Sequence, residues 1–150
     1  LAMIERRSFT GAVRRAAIAL LSIALAVFFG FVGYMKAFAP LAELTKHHAW
    51  TVHLPEALGR AIGWTEIACA LLLIVGIVRP RWGRFSALLL LVNQLLAAAV
   101  HFSQGEMAAL PQNGVIIALC LIIYRLHMHK SMDGQIPSAK DWRRDNLGER

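Results

Sequence analysis

Four stretches of apolar residues constrain this chain more than anything else in it. The first runs from Ala16 to Met35, the second from about Pro55 to Val78, the third over about 85–102 and the fourth over about 110–125. An α-helix rises about 1.5 Å per residue, so roughly 20 apolar residues span the ~30 Å hydrocarbon layer of a bilayer. Only short polar stretches separate the runs, which suits membrane spans better than a water-soluble core. Composition agrees. The 150 residues are 57% hydrophobic and 17% charged, whereas soluble domains carry about 25% charged residues. The expected fold is all-α, a transmembrane four-helix bundle forming one domain over 1–150, with a polar tail over 128–150.

The first run shares one feature with a signal peptide, because Ala37-Phe38-Ala39 resembles a cleavage site. The run exceeds the ~7–15 residues of a signal-peptide apolar segment, and Pro40 stands where cleavage would fall. It reads as a retained helix. Orientation follows from Lys and Arg placement. Arg6, Arg7, Arg14 and Arg15 precede span 1; Arg79, Arg81 and Arg84 lie between spans 2 and 3; Arg125, Lys130, Lys140, Arg143, Arg144 and Arg150 follow span 4. Thirteen of the sixteen basic residues thus alternate onto one side, and only Lys36, Lys46 and Arg60 fall on the other. Both termini are therefore expected in the cytoplasm. The same placement sets aside nucleic acid as a partner despite the net charge of +7. The basic residues flank apolar runs, where they meet lipid phosphates, and there is no basic aromatic surface.

Ionisable groups inside a span are costly, so each needs a partner or a task. Lys36 closes span 1, Glu66 lies two to three turns into span 2 and His101 closes span 3, so topology brings the three to one depth. Arg60 stands at the mouth of span 2. Gly63, Glu66, Cys69 and Ala70 share one helical face, as do Asn93, Ala97 and His101, with Gln94 beside them. Small residues permit close packing, so Glu66 should point into the bundle. Two readings stay open. Glu66 pairs with Lys36, Arg60 or His101 and fixes the packing, or Lys36, Glu66 and His101, with Asn93 and Gln94 deeper, line a polar pocket that binds a ligand or moves protons.

The remaining chemistry-bearing residues say less. Cys69 and Cys120 lie inside apolar runs without a CxxC or zinc spacing, and read as small buried residues that form no disulfide. His47, His48 and His53 occupy the 37–54 loop, but adjacent histidines diverge and no carboxylate stands at a telling spacing, so no metal site is expected. Trp50 should sit at the headgroup level as this loop folds back on the bundle. His127 and His129 read as interfacial.

Several of these residues form a pattern. Gly33-Tyr34-Met35-Lys36 resembles the G-x-x-K that closes the first helix of DoxX-like membrane proteins. Leu54-Pro55 followed by Gly63-Trp64-Thr65-Glu66-Ile67 resembles their second helix, Gly76-Ile77-Val78-Arg79-Pro80-Arg81 their basic turn, and His101 a histidine ending their third. The resemblance covers about residues 16–125. It implies a multi-pass protein of the bacterial inner membrane, within a family some of whose members are linked to quinone-coupled oxidation or to membrane oxidoreductase complexes. The function expected from it is an accessory or quinone-binding subunit of a membrane redox system, in contact with lipid and with other redox subunits. Lys36, Glu66, His101, Asn93, Gln94 and Arg60 are the candidate ligand residues. No cofactor is evident, though a quinone would fit. The rivals are a stand-alone quinone-dependent oxidoreductase, which lacks a visible second redox centre, and a purely structural assembly partner.

Overall fold

The computed structural model describes residues 2–133, with side chains for residues 11–128. Among the described residues there are five α-helices: α1 (Ala2–Phe38), α2 (Leu41–Lys46), α3 (Glu56–Val78), α4 (Pro80–Ser103) and α5 (Leu110–Asp133). Short 3-10 turns occupy Trp50–His53 and Met107–Ala109. Four segments are long and apolar enough to cross a membrane, namely Gly11–Phe38, Glu56–Val78, Pro80–Ser103 and Met107–Met128. Among the described residues there is no strand.

The expected span limits shift where prolines act differently from the simplest reading. Pro55 is the cap residue before α3 rather than its first helical residue, and its extended ψ of 135° ends the preceding loop. Pro80 opens α4 instead of closing α3, since a helix start has no use for the missing N–H; Arg79 alone separates the two helices. Likewise α5 continues to Asp133, past the expected limit at Arg125. The polar tail expected from residue 128 is thus helical over 128–133, and 134–150 lie outside the described residues.

The bundle closes mainly by α1 on α3, α4 on α5 and α3 on α4, while α1 and α5 touch least among the neighbouring helices. Leu25, Phe29, Leu73, Leu90, Cys120 and Ile123 fill the core. Large apolar side chains such as Leu20, Val27, Leu71 and Val78 face outward, each about two-thirds or more exposed. A water-soluble protein avoids such a continuous apolar exterior; in lipid it is the solvated surface.

One backbone contact sets the height of everything that follows. A Cβ on Gly33 would lie 2.7 Å from the Gly63 carbonyl oxygen, and a Cβ on Gly63 would lie 2.6 Å from the Ala37 amide nitrogen. Only paired glycines allow α1 and α3 to approach so closely. α1 and α3 run antiparallel, so Lys36 lies level with Gly63 and Glu66 with Gly33, and the two side chains meet across the crossing. At the opposite end, Gly76 and Gly83 meet and His127 packs against Gly83. His127 is fully buried there, not interfacial as its place near the end of span 4 suggests; the helix continues past it, and the paired glycines leave room for the ring.

Candidate functional site

The site lies at the end of the bundle that carries residues 39–55 and 104–109, here called the loop end. Its lower layer is an ion pair. Lys36 Nζ donates to Glu66 Oε1 at 2.6 Å, with both side chains almost wholly buried. Asn93 Nδ2 donates to the same oxygen at 2.7 Å. The indole of Trp50 stands over the ammonium, its ring centre 5.3 Å from Nζ. Glu66 therefore points into the bundle, as a carboxylate facing lipid would not.

Arg60 serves a different purpose. Its Nη1 donates to the carbonyls of Lys36 and Ala39, and its Nη2 to Glu56 Oε1 at 3.1 Å. The last carbonyls of a helix have no partner within it, and Arg60 supplies one from α3. It thereby fixes the end of α1, hence the height of Lys36, without joining the ion pair.

Above this layer is a cavity of about 250 Å³. Phe28, Phe31, Val32 and Met35 of α1 and Trp50 form its apolar and aromatic wall, while Lys36, Gln94, His101, Gln112 and Asn113 contribute its polar groups. Phe31 is largely exposed on the outside of the bundle, so the cavity lies beside the loosely packed α1–α5 side. A second, larger chamber of about 570 Å³ adjoins it toward the loops, sharing His47, His48, His101, Gln112 and Asn113 and adding Glu106. Gln94 Oε1 and Asn113 Nδ2 are buried and make no hydrogen bond among the described residues. Buried amide atoms are normally satisfied, which makes two orphans on the walls of one cavity informative.

The residues expected to share a pocket thus fall into two layers. Lys36, Gln94 and His101 line the cavity; Glu66, Asn93 and Arg60 do not. The reason is the glycine crossing, which draws Glu66 beneath Lys36 and leaves only the lysine toward the open side. Nor does His101 pair with Glu66. Its Nδ1 lies 2.6 Å from Glu106 Oε2, and His53 Nε2 lies 3.4 Å from Glu106 Oε1, with His48 slightly farther at 4.0 Å. The hydrogen bond from His101, helped by His53, holds the Glu106 carboxyl below its ordinary value against a smaller opposing effect of burial.

Glu106 is the site residue that sequence reasoning missed, together with Asn113 and the inward place of Trp50. The loop does fold back on the bundle, but Trp50 is buried as a cavity wall. One local signal pointed to Glu106. Gly105 adopts φ +76°, a left-handed turn that glycine makes at little cost, and the Glu106 amide donates to the His101 carbonyl at 2.9 Å. A histidine and a glutamate five apart with glycine between them can be folded onto each other in this way. Among the described residues no group of histidine, cysteine and acidic side chains is arranged to hold a metal ion. Cys69 and Cys120 are buried free thiols.

A family model described as the DoxX-like family matches residues 20–123. No curated protein and no solved structure matches the chain.

Proposed function

The chain belongs to the DoxX-like family of small membrane proteins, and from that premise we propose that it binds a neutral, ring-bearing amphiphile of the quinone type, as an accessory subunit of a redox system in the bacterial inner membrane. The observation that carries the reading is the cavity: an aromatic wall beside the loosely packed α1–α5 side, meeting buried polar groups with hydrogen-bonding capacity to spare. Ligand sites are mostly apolar with a few placed polar groups. The apolar side suits a lipid-soluble tail, and the polar end suits a headgroup with carbonyl or hydroxyl oxygens.

Charge narrows the class. The Lys36 ammonium is already compensated by Glu66, so the cavity has little excess positive charge to hold a carboxylate or phosphate. Lys36 keeps two further N–H groups for acceptors; Asn113 Nδ2 donates and Gln94 Oε1 accepts. This donor and acceptor set fits a quinone and its quinol. Redox chemistry would need an electron partner, which an associated subunit would supply.

Gentle purification followed by native mass spectrometry and solvent extraction tests the reading. A quinone-type compound should accompany the protein in near-equal amount and disappear in a Gln94→Leu, Asn113→Leu double variant that stays helical. Recovery of phospholipid alone would sink it. The proposal also places the loop end outside the cytoplasm, following the basic residues around Arg79–Arg84 and Arg125. A cysteine placed at Ala108 should react with an impermeant reagent added to intact cells, and one at Trp82 should not; the reverse pattern refutes the orientation.

A further inference from the structure

We infer that His101 and Glu106 form a proton port between the water at the loop end and the headgroup end of the cavity, which makes the site's preference between oxidised and reduced ligand depend on pH. The inference rests on the ligand reading above and adds to it the groups that exchange protons with the ligand's surroundings. His101 is a wall of both chambers while being itself buried. Glu106 is partly exposed, and its two oxygens engage His101 on one side and His53 on the other. The route therefore runs from water to Glu106 and from Glu106 to a ring that touches the cavity.

The geometry fixes the direction of each bond. A carboxylate can only accept, so His101 Nδ1 is the donor to Glu106. That leaves Nε2 as an acceptor in the neutral ring and a donor in the protonated one. A neutral His101 can take a hydrogen bond from a quinol hydroxyl. A protonated His101 can give one to a quinone carbonyl. A proton leaves the cavity when Nε2 accepts it, Nδ1–H passes its own proton to the Glu106 carboxylate and Glu106 releases it to water; uptake runs through the same three transfers in reverse, and no other reactant is needed.

Every charged or titratable group facing His101 bears on this. From α1 there is Lys36, its charge balanced by Glu66 of α3. From the loop before α3 there are His47, His48 and His53; from the turn after α4 there is Glu106. From α5 come Gln112 and Asn113, which do not titrate. Histidine is the side chain type suited to exchanging protons near neutrality, and among these groups His101 is the one that is buried and touches both chambers.

The test uses the full chain in nanodiscs with a decyl-substituted benzoquinone and its quinol as probes. Neither titrates between about pH 5 and pH 8, since a phenolic hydroxyl loses its proton near pH 10. The ratio of quinone to quinol affinity should rise about fivefold from pH 8 to pH 5, the difference between a charge-assisted and a neutral hydrogen bond. His101→Gln should flatten the ratio. Glu106→Gln, which keeps shape but removes the charge that holds Nδ1–H, should flatten or displace it, with circular dichroism confirming that both variants stay folded. An unchanged pH profile in both variants overturns the port. A wild-type protein that binds both probes with a constant ratio overturns it too and leaves the ligand reading standing. Binding of neither probe at any pH overturns the ligand reading and the port together.

Discussion

Two acid–base clusters sit at the loop end of this bundle, and they differ in what surrounds them. Lys36, Glu66 and Asn93 join three helices beneath a glycine crossing, with the carboxylate almost wholly out of reach. His101, Glu106 and His53 join a helix end to two loop segments, and their carboxylate is partly exposed. Burial makes the first cluster expensive to disturb, because neither partner can fall back on water. Access to water makes the second cheap to disturb and able to exchange protons. Proximity in depth, which groups Lys36, Glu66 and His101 along the sequence, does not distinguish these roles; the path from each group to water does.

The largest effect should come from stripping Lys36 of its counter-charge. Glu66→Gln should destabilise the protein by about 3–5 kcal/mol, the range for a buried charge left uncompensated, read as a fall in thermal midpoint in detergent. Replacing both members, Lys36→Met with Glu66→Met, should recover much of that loss, because the apolar pair needs no desolvation. If the single variant is as stable as wild type, the lower cluster is not the structural element described.

The next effect should come from the crossing that places the pair. Gly63→Ala puts a methyl group against backbone atoms of α1, which cannot rotate away. A cost of about 1–3 kcal/mol is expected, as for overpacking elsewhere. Gly114→Ala, where a Cβ meets nothing within 4 Å, serves as the control and should be close to neutral. A smaller loss should follow Ser86→Ala. Its hydroxyl donates to the Cys69 carbonyl at 2.7 Å across the α3–α4 contact, and a single neutral hydrogen bond is worth about 1 kcal/mol. Equal stability of Gly63→Ala and Gly114→Ala would show that the helices can separate without loss.

How much of this was legible in the sequence follows from the range of the interactions. The four spans were visible because apolar runs are local, and the inward face of Glu66 because glycine and carboxylate repeat at helical spacing on one helix. The partnership of Lys36 with Glu66 was one of three open alternatives. Choosing among them needed the crossing of α1 and α3, which depends on how Gly33 meets Gly63 thirty residues away. Glu106 was legible only through its spacing from His101 across Gly105, and the rest of its surroundings were hidden for the same reason. Its neighbours His48 and His53 come from a loop more than fifty residues earlier, and a loop's path over a bundle is written in tertiary packing rather than in periodicity. His127 misled because nearness to a span's end says nothing about what the next helix leaves open.

The smallest expected effect concerns Glu106, and here the sign matters more than the size. Its carboxyl is held below the ordinary value by the His101 hydrogen bond. Between the folded value and the ordinary one near 4.3, the unfolded chain binds more protons than the native protein, so stability rises with pH across that interval. The contribution is complete above the ordinary value and disappears as pH falls through the folded one. Because the group is partly exposed, the contribution is modest. In Glu106→Gln nothing titrates at this position, so the acid-side slope of the thermal midpoint should flatten and the midpoint near neutrality should fall by the same modest amount. Glu66→Gln should behave differently, lowering the midpoint at every pH in proportion to what burial withholds from water. If Glu106→Gln instead lowers the midpoint at neutrality as far as Glu66→Gln does, the outer cluster is a structural clamp like the inner one, and the contrast between an enclosed pair and a water-linked pair collapses.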